Sequence, residues 1–121
     1  MIDAAESEGL LKPGGTIVEP TSGNTGVGLA IVAAQRGYKL LLCLPKAASA
    51  ERKKLLKAYG AQIEFTDPLE GSDGAIRRAK ALALENPDYF YADQYNNPGT
   101  WKIHYDTTGP EVWQQTYGQI T

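Results

Sequence analysis

The 121-residue chain has one cysteine, one histidine, one methionine and two phenylalanines. A single cysteine, Cys43, closes no disulfide within the chain and builds no cysteine metal site. It sits inside an apolar run and reads as a buried, inert thiol. A single histidine, His104, has no partner with which to hold a metal, so packing or capping is the expected role. There is no basic excess either. Lysine and arginine number 12 against 14 acidic residues, a net charge of −2, which provides no field for nucleic acid. The longest apolar run, Leu40–Pro45, is far short of the roughly 20 residues of a membrane-spanning helix. The opening MIDAAESEGLL is acidic and helical in pattern, unlike a secretory leader. A cytoplasmic location is the expectation. What remains is an ordinary globular composition, 42% hydrophobic and 21% charged, sized for a single domain over residues 1–121.

Two patterns alternate along the chain. β-rich runs occupy residues 16–21, 39–45, 61–67 and 88–95, and helical periodicity occupies 22–36, 49–59 and 72–86. Ser49 and Ser72 are placed as N-caps; Gly37 and Gly60 close the first two helices. A further helix spans about 2–10 and ends in the KPGG turn. Strand and helix in alternation mean βαβ units and a parallel sheet. The nearly continuous apolar run LLLCLP fits a strand covered on both faces. The expected fold class is therefore α/β, a four-stranded parallel sheet of half-Rossmann-like order 3-2-1-4 with helices on both faces. The order reverses between strands 1 and 4, which brings residues 21–25 and 94–97 to one crevice at the strands' carboxyl ends. Beyond Gly99, helical turns are expected near 100–106 and 109–117, with Pro110 at a helix start. The closing GQIT resembles the opening of another strand.

The stretch EPTSGNTGVGLA, residues 19–30, carries the chemistry. Thr21, Ser22 and Thr25 place three hydroxyls, and Asn24 an amide, at the start of an apolar helix. Free N–H groups and the positive dipole end make such a place an anion site. Gly23 permits close backbone approach, and Gly26 and Gly28 let the helix lie near the sheet. No Walker lysine is present and the spacing is not G-x-G-x-x-G. One helix cap needs one hydroxyl. Three hydroxyls around an amide read as a carboxylate or phosphate clamp, against the alternative that they only cap and pack. The aromatic residues Tyr89, Phe90, Tyr91, Tyr95, Trp101, Tyr105, Trp113 and Tyr117 read as core and interdomain packing rather than base stacking. DPLEGSDG reads as turn chemistry.

PTSGNTG, in register with GLLKPGG, ERKKLLKAYGA, DQYNNPG and HYDTTGPEVW, resembles the fold-type II pyridoxal-phosphate enzymes. The resemblance is to the cysteine synthase (O-acetylserine sulfhydrylase) and cystathionine β-synthase group, and it covers nearly the whole chain. It implies that Asn24 bonds the 3′-oxygen of the pyridoxal phosphate ring. It implies that Thr21, Ser22, Thr25 and the N–H of Gly23 hold the substrate's α-carboxylate, with Gln94 completing that site. The group's cofactor lysine lies in an S-x-K motif upstream, and its phosphate loop, G-x-G-G/S-T, lies downstream. No lysine from Lys12 to Lys102 matches the first. The expectation is a truncated small domain, inactive alone, with no catalytic residue and no metal ligand of its own. The full enzyme would convert O-acetylserine and sulfide to cysteine and acetate. Two alternatives stand beside this: a non-catalytic or engineered stand-alone module, and a cystathionine β-synthase fragment. Exposed apolar surface on the terminal helices and at strand 4 would make a homodimer or a domain-swapped oligomer. In the full enzyme, the C-terminal tail of serine acetyltransferase is a further expected partner.

Overall fold

The computed structural model describes residues 1–21 and 23–121. The chain runs α1 (Ile2–Ser7), β1 (Thr16–Pro20), α2 (Asn24–Arg36), β2 (Lys39–Pro45), α3 (Ala50–Ala58), β3 (Gln62–Thr66), α4 (Gly71–Glu85) and β4 (Tyr89–Tyr91). The sheet order is β3-β2-β1-β4 and every pair is parallel, as the alternating pattern predicts. Ile17 lies in register with Leu40 on one side and Phe90 on the other.

Successive strand residues point to opposite faces. Ile17, Leu40 and Leu42 pack with Ala5 of α1, Leu29, Ala30 and Ala33 of α2, and Leu56 of α3. Val18 and Cys43 pack with Ala75, Ala79 and Leu82 of α4. The sheet is therefore covered on both faces, which is why LLLCLP is apolar throughout. Ile17, Leu42, Leu44 and Leu56 are fully buried, each contributing roughly 1.5–3 kcal/mol. Cys43 is buried among them, and burial pushes its thiol up to about 12, so it stays protonated.

α2 ends as its sequence predicts, with Gly37 at φ +76°. Ser49 caps α3, its hydroxyl accepting from the Arg52 N–H at 3.3 Å. α4 differs. Ser72 lies inside the helix, not at its cap. Asp67 caps a 3₁₀ turn at Pro68–Glu70, accepting from the Leu69 N–H at 2.8 Å, and that turn leads into α4, whose N-cap is Glu70. Proline's fixed φ and missing N–H favour a turn start there. α1 is shorter than its pattern, because Gly9 at φ +71° turns the chain.

β4 is also shorter than the 88–95 run. Its ladder to β1 stops where β1 reaches Pro20, which has no N–H to donate. The last backbone bond is from Ala92 N–H to the Val18 carbonyl, 3.2 Å. Beyond it, side-chain amides take over. Asn97 Nδ2 donates to the Ala92 carbonyl at 2.9 Å, and Gln94 Nε2 donates to the Pro20 carbonyl at 3.2 Å. Asp93 turns away at φ +48°.

The C-terminal segment is one run of helix where the sequence suggested two. α5 (Gly99–Ile103) passes into a π-helical turn at His104–Thr108 and then α6 (Gly109–Gln115). Pro110 in the first turn of α6 has no N–H for an ordinary helical bond, and the widened turn accommodates it; the Gly109 N–H instead reaches the His104 carbonyl. His104 Nδ1 and Thr108 Oγ1 lie 3.0 Å apart. No strand forms at GQIT among the described residues. Core packing fails for the later aromatics: Tyr95, Trp101, Tyr105, Trp113 and Tyr117 are exposed, while Tyr89, Phe90 and Tyr91 are half-buried.

The two helix glycines differ. A Cβ on Gly26 would collide with the buried Thr21 methyl and lie 3.4 Å from Leu42 Cδ1, whereas one on Gly28 would meet nothing within 4 Å. Only Gly26 brings α2 close to the sheet. Gly26→Ala is expected to destabilise by about 1–3 kcal/mol in urea unfolding. Gly28→Ala is expected to stabilise by up to about 1 kcal/mol. Equal effects would contradict this packing.

Candidate carboxylate and cofactor site

The site forms where β1 leaves the sheet. Thr21 is buried, and its N–H donates to the Cys43 carbonyl at 3.0 Å. Its hydroxyl accepts from the N–H groups of Gly23 and Gly26, each at 3.2 Å. It therefore satisfies two of the helix's first donors, and its own proton is left to give. Gly23 is the N-cap residue, in extended backbone, with nothing within 4 Å of the place a Cβ would take. The loop is open to an incoming group at this point. Ser22, expected on the same carboxylate, lies outside the described residues.

Asn24 begins α2 and is exposed. It borders a cleft of about 280 Å³, shared with Val27 and with Ser49, Arg52 and Leu55 at the start of α3. Among the described residues, no hydrogen bond holds its side chain. Thr25, half-buried, borders a different cleft of about 420 Å³ with Ile2, Gly28, Arg36, Thr100 and His104. Gln94 does meet the end of β1, through its side chain to Pro20 and its backbone N–H to Glu19 Oε1 at 3.0 Å. The structure thus joins Gln94 to the β1 end beside Thr21, and it sets Asn24 and Thr25 on separate clefts.

Glu19 is the residue that sequence reasoning missed. It lies on the central strand, fully buried, in register with Leu42. Oε1 takes the Gln94 N–H, and Oε2 has no partner among the described residues. Burial pushes the carboxyl from 4.5 up to about 7, against the pull of the Gln94 and Asp93 N–H groups and with the push of the Asp93 charge. A glutamate inside a strand between TIV and a proline was the available signal. Tyr91 is a second case: its hydroxyl is buried with no partner among the described residues, and burial raises its pKa.

A ring amide donor is one part of what pyridoxal phosphate needs, and the unpartnered Asn24 amide fits it. Neither the Asn24 cleft nor the Thr25 cleft is bordered by a lysine among the described residues. Arg52 and Arg36 are the basic residues that border them, while Lys53 donates to the Lys46 carbonyl at 2.6 Å and sits 5.1 Å over the Phe65 ring. The residues present fit one edge of the cofactor. No group of three metal-binding side chains occurs among the described residues, and no helix there is long and apolar enough to cross a membrane.

Comparison with known proteins decides the family. The family described as pyridoxal-phosphate dependent enzyme matches residues 1–121. The chain belongs to that family. It is 52% identical over 121 residues to cysteine synthase A of Escherichia coli strain K12, covering 99% of this chain and 38% of the relative. It is 50% identical over 118 residues to the cysteine synthase of Aquifex aeolicus, covering 97% and 36%. A crystal structure of a hydrogen sulfide-producing enzyme complexed with an alpha-aminoacrylate intermediate superposes with a TM-score of 0.89. It is 32% identical, over 96% of this chain and 35% of that one. The chain therefore spans little more than a third of the length of these family members.

Two outcomes follow from this geometry. Thr21→Val keeps the shape and removes the acceptor, so it is expected to cost about 1–3 kcal/mol and to speed hydrogen exchange at Gly23 and Gly26. Unchanged exchange would contradict the bonding described. For Glu19, the unfolded chain releases its proton near 4.5 and the folded chain near 7. The native state holds more protons between these values, so this group's contribution to stability falls as pH rises through the window and levels off above 7. In urea unfolding, the stability of Glu19→Gln relative to the parent is expected to rise across that window by on the order of 3 kcal/mol. Parallel pH curves would refute it.

Proposed function

We propose that this chain is the substrate-loop part of a pyridoxal-phosphate-dependent cysteine synthase, which converts O-acetylserine and sulfide to cysteine and acetate. The observation that carries the reading is the loop Thr21–Thr25 opening at the α2 N-terminus beside Gln94, in a chain 52% identical along almost its full length to a cysteine synthase.

In this reading the substrate's α-carboxylate enters at the open face of Gly23. The N–H groups of the first helical turn and the hydroxyls of Thr21, Ser22 and Thr25 receive it. Gln94 has a second amide proton beyond the one given to Pro20 and directs it to the same carboxylate. Asn24 donates from its free amide to the ring oxygen of the cofactor. When bound, pyridoxal phosphate acts as the electron sink for chemistry at the α-carbon. The chain's own share is to bind and orient. Neither cleft is bordered by a lysine among the described residues, so in this reading their side chains bind and orient, a role shared with the non-catalytic alternative.

The exposed aromatic and aliphatic side chains of the C-terminal helical run, among them Trp101, Ile103, Tyr105 and Trp113, need a cover in water. A second copy supplies it, by face-to-face or exchanged packing. Light scattering is expected to give a dimer that Trp113→Glu weakens; a monomer at high concentration refutes this.

The function is tested by amide NMR titration with O-acetylserine and then pyridoxal phosphate. Saturable shifts at Gly23, Asn24, Thr25 and Gln94 in about the millimolar range are expected. No shift at these residues at tens of millimolar, on the order of the weakest useful affinity, overturns the carboxylate reading.

A further inference from the structure

A charged side chain buried at the centre of a parallel sheet is costly unless it is tied. Glu19 is such a side chain, fully buried on the middle strand. Its location answers a specific defect. β4 turns off the β1 ladder at Asp93, φ +48°, so the Gln94 N–H does not take the Pro20 carbonyl that would continue it; the Gln94 side chain takes that carbonyl instead. Glu19 Oε1 takes that N–H at 3.0 Å, across 75 residues of chain. With its backbone held there, Gln94 reaches the Pro20 carbonyl with its side chain, 3.2 Å, directly before Thr21. Thr21 in turn holds the loop through Gly23 and Gly26. The two walls of the proposed carboxylate site, one from β1 and one from β4, are thus joined through one carboxyl group.

We infer that Glu19 is a positioning residue for the carboxylate site: its buried carboxyl fixes Gln94 of the β4 wall against the Thr21 loop of the β1 wall. This rests on the carboxylate reading above for what the joint serves, and on the bond geometry alone for the joint itself. Glu19 touches no substrate in this arrangement. It acts through Gln94. The groups around it are Asp93, whose charge opposes ionisation, the N–H groups of Asp93 and Gln94, which favour it, and more distantly Cys43 and Tyr91. Oε2 has no partner among the described residues; a single oxygen does the tying, and glutamine offers the same oxygen.

Two substitutions separate positioning from stability. Glu19→Leu removes a buried ionisable group and is expected to fold at least as stably as the parent, since an apolar residue of similar size replaces an incompletely paired charge. It leaves the Gln94 N–H without an acceptor. Glu19→Gln keeps the acceptor. Hydrogen exchange at the Gln94 amide is measured first, without ligand. Exchange is expected to be slow in the parent and in Glu19→Gln, and at least about tenfold faster in Glu19→Leu. O-Acetylserine affinity, read from the Gly23 and Gln94 amide shifts, is expected to fall about tenfold in Glu19→Leu and to be retained in Glu19→Gln. Equal Gln94 exchange in all three chains overturns the joint. Faster exchange in Glu19→Leu with unchanged affinity leaves Glu19 a merely structural residue and overturns positioning. If the parent binds no O-acetylserine, the carboxylate reading fails and positioning fails with it, while the exchange data still judge the joint on their own. Should Glu19→Leu not fold, Glu19→Met is measured in its place.

Discussion

The end of the central strand sets the shape of everything around the candidate site. Pro20 offers no N–H, so β1 cannot continue its ladder to β4 past Val18. The groups left over are satisfied by side chains instead: Asn97 on the Ala92 carbonyl, Gln94 on the Pro20 carbonyl and Glu19 on the Gln94 N–H. The missing donor leaves the Ala92 carbonyl to Asn97, and the turn at Asp93 takes the Gln94 N–H off the Pro20 carbonyl, so a cluster of amides and a carboxyl stands where the ladder would run. The same strand end then passes to Thr21, whose hydroxyl receives two N–H groups of the α2 start. Where a regular sheet would present a blank edge, this one presents polar atoms facing a helix N-terminus.

The close approach of α2 belongs to the same constraint. Thr21 can bond the Gly26 N–H only because Gly26 has no Cβ to strike the threonine methyl. Loop and helix are packed as one piece. The hydroxyl that helps ligand chemistry in the proposed reading is also the hydroxyl that holds the helix start, so the capping and binding accounts of Thr21 are compatible. Two acceptor sites serve the helix and one proton is left over. Ion pairs elsewhere do lighter work. Arg36 meets Asp3 at 2.6 Å and Glu6 at 3.0 Å, joining α1 to α2 at an open surface, where such pairs contribute little.

Much of the architecture was legible because apolar continuity and glycine punctuation are local signals. LLLCLP, Gly37 and Gly60 placed β2 and the ends of α2 and α3, and the alternation of elements left the order 3-2-1-4. What escaped depends on neighbours across space. YADQY keeps the look of a strand, but Pro20 opposite it and the turn at Asp93 end β4. Ser72 looks like a cap until Asp67 and Pro68 claim the turn before it. Glu19 fell within the β-rich run 16–21, but nothing local to it shows that its side chain is buried in the interior. For the site, PTSGNTG located the loop and DQYNN its opposing wall. That Asn24 and Thr25 border separate clefts is a matter of helical rotation between adjacent residues, about 100° each, which a motif written as a line does not display.

The bond between Glu19 and Gln94 has a bearing on how the chain folds. It closes a loop of 75 residues that contains α2, β2, α3, β3 and α4. Contacts of such separation carry the largest closure entropy and form after nearer ones. The β2–β3 and β1–β2 pairs, connected through α3 and α2, are far nearer in sequence. Closing the polar cluster therefore carries more chain entropy than forming either of the nearer strand pairs.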